Sequence, residues 1–551
     1  MQVVLCAINS SYSHSGLAIR LLEKNLKNND IAAQMLEFTV NEPYQIILSG
    51  IYEAGADILC FSCYLWNIEL VERIIEDYKS LSPRTKIVLG GPEVSFDAPM
   101  YMKRHENVAC VVQGEGDEIL PEVVRALQEG KTPASYTPGI MEDLNSLPFV
   151  YEGEENFENR LLYYETSRGC PFSCSYCLSS AQKGVRFLDV ARVKRELSMI
   201  CQKGAKTIKF LDRTFNCDKS RATEIFTFLM EMEGDFACHF EICAHLLDDA
   251  LIALLAKAPK GRFQFEVGIQ STNADTIRAI GRPDENDRAL DNLQKLKEAG
   301  NIPLHVDLIA GLPYDTWESI LQGIDRVYPV CDELQLGFLK MLKGTRMREL
   351  AEELDYAYQK RPPYEVLYSP WLSYEEILRL KQIEWVINRY KNSGCFTQSL
   401  AVLLQEAAMP PSAFLTEFSA FLNQLHFFRR PHARKNLYEP FYQFAKAKLK
   451  DEPMEGFTLQ LQKEYYMNER IGGLPFLSWR PRKVPVGEKI HALLHSEVFR
   501  QAFLPQYDNK PAAEVLKNVE FAIFSEEPKK ILIFDFAYGK IQDVTKCFTV
   551  I

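Results

Sequence analysis

Short apolar runs alternate with amphipathic helical patterns through the first 345 residues, and this alternation constrains the fold more than any other feature. Buried strands separated by helices are typical of parallel sheets that are covered on both faces. In residues 1–140 the apolar runs are VVLCAI, ADILCFSCY, KIVLGG and NVACVVQG, and they predict a doubly wound parallel sheet of four strands. A ligand of such a sheet is expected at the carboxyl ends of its strands.

Six further strand–helix repeats occupy residues 161–345, at a spacing typical of βα units. Six units are fewer than the eight of a closed TIM barrel, so we expect a partial (β/α)6 barrel. A stretch rich in Pro, Ser and Asn precedes these repeats and predicts a linker at 141–160. The strand–helix alternation does not continue in residues 346–551. Their helical periodicity predicts a mostly helical C-terminal domain with a hairpin near its end.

The bulk properties of the chain narrow its class. A chain of 551 residues is too long to fold around a single hydrophobic core, so we expect two to four domains. The net charge of -11 disfavours general binding to nucleic acid or to an anionic membrane. The N-terminus lacks a basic leader, and no stretch approaches the roughly 18 apolar residues of a membrane span. We therefore expect a cytoplasmic protein with no membrane partner, whose 14 cysteines are reduced thiols.

Three of these cysteines lie in one short segment, ETSRGCPFSCSYCLSS. Cys170, Cys174 and Cys177 follow the first strand of the barrel region, so they are expected in a loop at the carboxyl end of that strand. Three thiolates in one loop can bind three irons of a [4Fe–4S] cluster and leave the fourth iron open to a substrate. A structural zinc site would need a fourth ligand, and the neighbouring sequence offers no Cys or His. The triad therefore predicts an iron–sulfur cluster.

Polar residues also mark the ends of the other barrel strands, where they are expected to surround the barrel mouth. Taken singly, each of them also fits a helix cap or a buried ion pair, so the prediction depends on their joint placement. These residues are Asp212, Arg213, Asn216, Glu241, His245, Glu266, Gln270, Ser271, Asn273, Asp307, Gly311, Pro313, Tyr314, Lys340 and Gly344.

The segment CPFSCSYC resembles the CxxxCxxC motif of radical S-adenosylmethionine (SAM) enzymes. The resemblance implies that SAM binds the open iron and that Tyr176 lies near its adenine. It also implies that Asp212 faces the methionine amine and that Gln270 faces the ribose. Arg213 is expected to pair with the SAM carboxylate, and the Gly311 loop is expected to allow close approach to the backbone. The other residues predicted for this site are Glu241, Ser271 and Pro313.

The loops after the four N-terminal strands resemble those of the cobalamin-binding domain found ahead of many radical SAM cores. The residues predicted to bind cobalamin are Ser10, Tyr12, His14, Ser62, Gly90, Gly91, Gly114 and Gly116. Another type of cobalamin domain uses Asp-x-His-x-x-Gly, but this chain has Tyr in place of the Asp and a Gly one place early. We therefore expect His14 to be a hydrogen-bonding loop residue, and the lower base of cobalamin to occupy a cleft at Gly90 and Gly91. The alternative is a sheet domain retained for packing or for recruiting a partner.

The order of these regions resembles that of cobalamin-binding radical SAM proteins, and the resemblance implies a specific chemistry. Reductive cleavage of SAM gives a 5′-deoxyadenosyl radical, and cobalamin then supplies a methyl group to an unactivated carbon. Such a methyltransferase needs an electron donor such as flavodoxin or ferredoxin, and its substrate is a small molecule, RNA or a peptide. Substrate identity and oligomeric state stay open.

Several alternatives remain at this stage. Cobalamin chemistry of this kind also includes radical rearrangement, cyclisation and reduction. A binding protein that senses cobalamin or redox state is an alternative from another class. Methylthiotransferases, which modify RNA, carry a second cluster on N-terminal cysteines; here Cys6, Cys60, Cys63 and Cys110 fit buried packing better. The interleaved basic and aromatic residues at 425–450 and 478–483 are compatible with binding of a polyanion such as RNA, or with a solvated helix face and core aromatics. Given the acidic chain, we expect this region instead to cap the barrel and shape the substrate pocket.

Overall fold

The computed structural model of the protein describes residues 1–131, 141–152, 160–181, 184–470, 473–477, 479–526 and 529–549. It separates into two compact units, Met1–Leu380 and Lys381–Ile551. Within the described ranges, no helix combines the length and the apolarity needed to span a membrane.

The first unit begins with a parallel sheet of five strands in the order β2-β1-β3-β4-β5. The strands are β1 (Val3–Asn9), β2 (Ala33–Thr39), β3 (Ile58–Ser62), β4 (Lys86–Gly90) and β5 (Val108–Val112). The helices are α1 (Leu17–Asn28), α2 (Tyr44–Glu53), α3 (Ile68–Leu81), α4 (Pro92–Ser95), α5 (Ala98–Arg104) and α6 (Ile119–Gln128). The doubly wound prediction is confirmed, but the sheet has a fifth strand, β2. This edge strand is mostly half-buried, so it lacks the continuous apolar run that marks the other four.

Helices on both faces explain why the remaining strands are buried along almost their whole length. In β1, Val4, Cys6 and Ile8 belong to one core, whereas Val3 and Leu5 belong to the core on the opposite face. All five strands run parallel, so the loops after β1, β3, β4 and β5 meet at one edge of the sheet.

A second parallel sheet of six strands follows, in the order β13-β12-β11-β10-β9-β6, and confirms the partial barrel. The strands of this region are β6 (Leu161–Tyr164), β7 (Ser167–Cys170), β8 (Gly184–Phe187), β9 (Thr207–Phe210), β10 (Ala237–Ile242), β11 (Phe263–Gln270), β12 (Leu304–Ala310), β13 (Glu333–Phe338), β14 (Ala357–Tyr358) and β15 (Val366–Tyr368). The helices are α7 (Val190–Gln202), α8 (Lys219–Glu231), α9 (Asp249–Leu255), α10 (Ala274–Ala279), α11 (Asn286–Ala299), α12 (Trp317–Val327) and α13 (Arg346–Glu349).

The middle strands of the barrel alternate strictly between buried and half-buried residues. In β11 and β12 the apolar residues pack under the helices, and the residues between them face the barrel interior. A short antiparallel hairpin of β7 and β8 is inserted between β6 and β9, and it is not part of the six-stranded sheet. The cysteine segment connects the two strands of this hairpin, so it does not follow the first barrel strand directly.

The second unit is mostly helical. Its helices are α14 (Tyr374–Val386), in which the boundary between the units falls, α15 (Thr397–Glu406), α16 (Pro411–Gln424), α17 (Tyr438–Lys448), α18 (Asp451–Glu469), α19 (Glu488–His495), α20 (Glu497–Phe503), α21 (Ala512–Val515) and α22 (Thr545–Thr549). Its strands are β16 (Arg482–Lys483), β17 (Val519–Glu526), β18 (Lys529–Asp535) and β19 (Lys540–Asp543). The predicted hairpin is formed by β18 and β19, within an antiparallel sheet of four strands.

Candidate functional site

The three cysteines of the triad lie in and just after β7. Cys170 ends the strand, and the backbone amide of Cys177 donates to the carbonyl of Cys174 at 3.1 Å, which closes a tight turn. Gly169 makes the hairpin possible, since its φ of +99° is left-handed and a Cβ there would lie 2.1 Å from the carbonyl oxygen of Gly184. Three free thiols, one buried and two half-buried, therefore lie in or beside one turn.

Three thiols in one turn supply the ligands that a cubane cluster needs at three of its irons, since each thiolate binds a different iron. Among the described residues, no group of three His, Cys, Asp or Glu side chains forms a site for a single metal ion. The side chain of Thr214, in the loop after β9, borders the site, with its Oγ1 3.6 Å from Cys170 Sγ.

Arg282 was not predicted from the sequence, yet it contacts two residues of the turn. Its Nη1 lies 3.8 Å from Cys174 Sγ and 3.3 Å from the Tyr176 hydroxyl, and its Nη2 donates to the carbonyl of Gly268 at 2.8 Å. Burial raises the pKa of the Cys174 thiol, and the guanidinium opposes that shift. Burial also raises the pKa of Tyr176, so its hydroxyl stays protonated. A cation beside the turn therefore favours the thiolate form that binds iron.

Asp212 lies in a position that differs from the prediction. Its carboxylate is 1% exposed and accepts hydrogen bonds from the amide and hydroxyl of Thr166 and from the hydroxyl of Ser167. Both oxygens are thus occupied by the turn between β6 and β7. In this structure Asp212 therefore holds the start of the cysteine hairpin.

Gln270 and Ser271 lie at the end of β11, beside a break in its pairing with β12. Gln270 has a left-handed φ of +71°, and its side chain folds back over Gly268, where an added Cβ would lie 2.0 Å from its Nε2. Its buried Oε1 has no hydrogen-bond partner among the described residues. A buried acceptor without a partner is costly, so this oxygen fits a ligand hydroxyl. Ser271 is buried, and its hydroxyl accepts from the amide of Asn273 at 3.1 Å.

The remaining residues predicted for the barrel mouth are distributed around it. Arg213 is 56% exposed and lies 3.8 Å from the carboxylate of Glu241, so both remain available to a ligand. Gly311 has a φ of +90°, and a Cβ there would lie 2.8 Å from the side chain of Val366. Its carbonyl accepts from the Tyr356 hydroxyl at 2.9 Å, which fixes the loop. Pro313 follows in the same loop and is buried.

Below the mouth, the barrel interior carries ionisable side chains. Glu266 is paired with Lys209 at 3.2 Å and with His239 at 2.9 Å, and these partners lower the pKa of Glu266 to about 2. Asp307 differs, because burial and the nearby carboxylates of Glu266 and Glu241 raise its pKa to about 8. A group with this pKa is protonated at neutral pH and can donate a hydrogen bond inside the barrel.

The second candidate site is the edge of the N-terminal sheet where its loops meet. Gly91 has a φ of +109°, and a Cβ there would lie 2.5 Å from the carbonyl oxygen of Cys63, so only glycine fits. The side chains of Ser10 and Tyr12 are exposed, Ser62 and Gly90 are half-buried, and Gly114 is exposed. The ring of His14 lies within hydrogen-bond distance of the Tyr163 hydroxyl on β6. His14 is thus a hydrogen-bonding loop residue in this structure.

Two aromatic residues of this edge were missed by the sequence argument. Tyr64 and Trp66 stack with ring centroids 4.5 Å apart, and Trp66 is 50% exposed. Trp66 also donates through Nε1 to the carbonyl of Ile8 at 3.1 Å, which fixes the indole over the end of β1. A flat apolar surface beside glycine-lined backbone fits a planar macrocycle, so the residues present suit a corrin. Nothing in the local sequence pattern distinguishes these two rings from core aromatics.

The four N-terminal cysteines do not come together. Cys6 and Cys63 lie in the core on one face of the sheet, whereas Cys60 and Cys110 lie in the core on the other face. All four are buried, and burial raises the pKa of the Cys110 thiol to about 11. They are protonated packing residues, and this arrangement gives no support to a second cluster.

Family models match most of the chain in three consecutive parts. The B12 binding domain matches residues 3–124, the radical SAM superfamily matches 164–327, and a protein of unknown function (DUF4080) matches 352–535. The first two matches contain the glycine-lined edge and the cysteine hairpin, respectively. The radical SAM match implies a [4Fe–4S] cluster and SAM, and the B12 match implies cobalamin.

Curated relatives are similar over part of their length. The cobalamin-dependent radical SAM methyltransferase TokK of Streptomyces tokunonensis is 22% identical over 66% of this chain and 60% of TokK. An uncharacterized methyltransferase of Pyrococcus horikoshii is 27% identical over 50% of this chain and 64% of that protein. The chain therefore matches less than two thirds of the length of either relative.

Solved structures share the fold. The radical SAM methyltransferase TsrM of Kitasatospora setae, with cobalamin and a [4Fe–4S] cluster bound, gives a TM-score of 0.55 at 15% identity over 65% of this chain and 76% of TsrM. The cobalamin-dependent SAM radical enzyme OxsB, with aqua-cobalamin and SAM bound, gives a TM-score of 0.55 at 14% identity over 85% of this chain and 79% of OxsB. The chain therefore combines, in this order, a B12 binding domain, a radical SAM domain and a DUF4080 region.

Proposed function

We propose that this protein is a cobalamin-dependent radical SAM enzyme that transfers a methyl group to an unactivated carbon of its substrate. One observation supports the proposal: both candidate cofactor sites lie in the compact unit Met1–Leu380, where the loop after β1 contacts β6. The amide of Leu161 donates to the carbonyl of Ser13 at 2.9 Å, and the Ser15 hydroxyl donates to the carbonyl of Leu161 at 3.1 Å. The loop after β1 is thereby joined to the strand that leads into the cysteine hairpin.

When bound, the cluster would supply the electron that cleaves SAM, and cobalamin would supply the methyl group. The chain's own residues bind and orient these groups. Cys170, Cys174 and Cys177 would hold three irons, and Arg282 keeps a positive charge beside Cys174 and Tyr176. The remaining residues proposed for SAM are Asp212, Arg213, Glu241, Gln270, Ser271, Gly311 and Pro313, with Asp212 acting through the hairpin turn. Those proposed for cobalamin are Ser10, Tyr12, His14, Ser62, Gly90, Gly91, Gly114 and Gly116.

The barrel interior would receive the substrate beside SAM. Asp307 holds its proton at neutral pH, and its Oδ1 lies 3.3 Å from the imidazole Nε2 of His305. The neutral carboxyl can donate to a substrate oxygen or nitrogen without placing a second negative charge beside Glu266.

The proposal extends to partners and location. Radical SAM enzymes need a reductant, and we propose a flavodoxin or ferredoxin as the electron donor and a small molecule as the substrate. We also propose a cytoplasmic location, which is supported by the finding that all 14 cysteines are free thiols.

Isotope tracing tests the proposed reaction. Extracts of a deletion strain, which accumulate the unmethylated substrate, are incubated with the anaerobically reconstituted protein, hydroxocobalamin, a reductant and SAM labelled in its methyl group. We expect the label to appear on carbon in one new product. The product should be absent with Cys174→Ala and present with Cys201→Ala, a control thiol on α7. A product that carries no label, formed by protein with both cofactors bound, would replace methyl transfer with a rearrangement, cyclisation or reduction.

A further inference from the structure

The cysteine hairpin contains a pair of like charges that it cannot neutralise alone. Arg168 on β7 and Arg186 on β8 are direct cross-strand partners, and their side chains are only 13% and 16% exposed. Like charges directly opposite each other destabilise a strand pair, and low exposure strengthens their repulsion. Arg168 lies two residues before Cys170, so this repulsion acts on the strand that carries the first thiol of the triad.

Carboxylates from the N-terminal sheet neutralise both arginines. Arg168 binds Asp117 through both terminal nitrogens, at 2.7 and 3.4 Å. Arg186 binds Glu115 through both terminal nitrogens, at 2.6 and 3.0 Å, and Glu115 also lies 3.6 Å from Arg168. Glu165 adds a third carboxylate, 2.9 Å from Arg168 Nε. Bidentate pairs of this kind fix both the distance and the orientation of their partners.

Glu115 and Asp117 alternate with Gly114 and Gly116 in the loop after β5. The two glycines belong to the edge proposed for cobalamin, whereas the two carboxylates reach the cysteine hairpin. The same short loop therefore borders both candidate cofactor sites, and a displacement of the loop at one site moves the ion pairs at the other.

We propose that Glu115 and Asp117 are positioning residues that hold the cysteine hairpin against the cobalamin-binding edge and couple occupancy of the two cofactor sites. The inference rests on the proposed two-cofactor function. It gives Glu115 and Asp117 a positioning role in which neither side chain binds a cofactor. Because coupling between two binding sites is reciprocal, SAM at the cluster should change the affinity for cobalamin by the same factor as cobalamin changes the affinity for SAM.

The test uses the full chain with its cluster reconstituted. The Kd of hydroxocobalamin is measured from its absorbance, with and without SAM. The electron paramagnetic resonance spectrum of the reduced cluster with SAM is recorded with and without hydroxocobalamin. In the unaltered protein we expect the Kd to change about fivefold or more with SAM, within the usual range of such coupling. We also expect cobalamin to change the cluster spectrum.

The double variant Glu115→Gln with Asp117→Asn leaves the Arg168–Arg186 pair less neutralised, so it should load less iron than the unaltered protein. The fraction that carries a cluster should keep its Kd without SAM, but should lose both effects. Glu115→Asp keeps the charge and shortens the side chain, so it should fold normally and reduce the coupling only in part. The matched control is Glu152→Gln, which removes a carboxylate 2.8 Å from Lys24, away from the hairpin, and should leave both effects unchanged.

Undiminished coupling in both Glu115 variants would overturn the positioning role while leaving the proposed function intact. If the unaltered protein binds hydroxocobalamin and SAM without any mutual effect, the coupling is likewise refuted. Failure of the unaltered, cluster-loaded protein to bind hydroxocobalamin or SAM at all would instead overturn the proposed function, and this inference with it.

Discussion

Gly169 and Gly184 offer a matched pair of substitutions within the cysteine hairpin. Both have left-handed φ angles, +99° and +85°, so alanine is strained at either position. Their surroundings differ, because a Cβ at Gly169 would lie 2.1 Å from the Gly184 carbonyl oxygen, whereas a Cβ at Gly184 meets nothing within 4 Å. We predict that Gly169→Ala prevents cluster assembly and that Gly184→Ala does not.

The expected magnitudes follow from these contacts. A left-handed φ costs alanine about 1–2 kcal/mol, which is the whole expected cost at Gly184. At Gly169 the added carbon would lie 2.1 Å from a backbone carbonyl oxygen, well inside the 3.0 Å that real Cβ atoms keep from other heavy atoms, so β7 must move away from β8. The hairpin then loses backbone hydrogen bonds worth about 1 kcal/mol each, which brings the total to roughly 3–5 kcal/mol. That cost falls on a hairpin of only four residue pairs, one of which contains Cys170 itself.

Iron and sulfide content after anaerobic reconstitution, together with the visible absorbance of the cluster, measures the outcome. Gly184→Ala should load close to the unaltered amount, and Gly169→Ala should load little or none. Circular dichroism of both variants checks that the rest of the fold persists. Equal cluster loading in the two variants would refute the argument that close approach of β7 to β8 positions the thiols.

Three further predictions concern the surroundings of the two sites. Arg282→Met removes a cation 3.8 Å from Cys174 Sγ, so the reduced, more negative cluster is disfavoured and its midpoint potential in a redox titration should fall. An unchanged or higher potential would contradict this. Asp307 has a folded pKa of about 8 against an ordinary 3.8, so the folded apoprotein keeps a proton that the unfolded chain releases. Its thermal midpoint should therefore fall relative to Asp307→Asn as the pH rises from about 4 to 8, and parallel profiles would refute the shift. Trp66→Ala should weaken hydroxocobalamin binding by about 0.5–1.5 kcal/mol, or roughly two- to tenfold, whereas Tyr52→Ala, at a similarly exposed aromatic on α2, should not.

The sequence was sufficient where the signal is local. The apolar runs of the six barrel strands and of four N-terminal strands are continuous or strictly alternating, so their burial could be predicted from the residues themselves. The triad is equally local, since the spacing of Cys170, Cys174 and Cys177 alone places three thiols in one turn. Strand β2 gave no such signal, because it lies at an edge and most of its residues are half-buried. The hairpin was missed because its strands, SRGC and GVRF, are too short for a period to be visible.

Side-chain roles that depend on distant partners could not be predicted. Asp212 ends an apolar strand in the same way as a ligand-binding residue would, yet its carboxylate binds Thr166 and Ser167, 46 and 45 positions away. Asp117 binds Arg168 across 51 positions, although the sequence of its loop predicted only that Gly114 and Gly116 bind cobalamin. Local patterns identify which residues carry polar groups at a strand end, but the three-dimensional packing decides whether those groups meet a ligand or one another.

The formation of 5′-deoxyadenosine tests the central claim most directly. The chain is reconstituted anaerobically, supplied with SAM and hydroxocobalamin, and reduced, and the product is quantified by chromatography and mass spectrometry. The account predicts product from the unaltered protein and from Cys201→Ala, and none from Cys174→Ala. Protein with a full complement of iron, SAM and candidate substrate that forms no 5′-deoxyadenosine would contradict it, as would equal formation by Cys174→Ala.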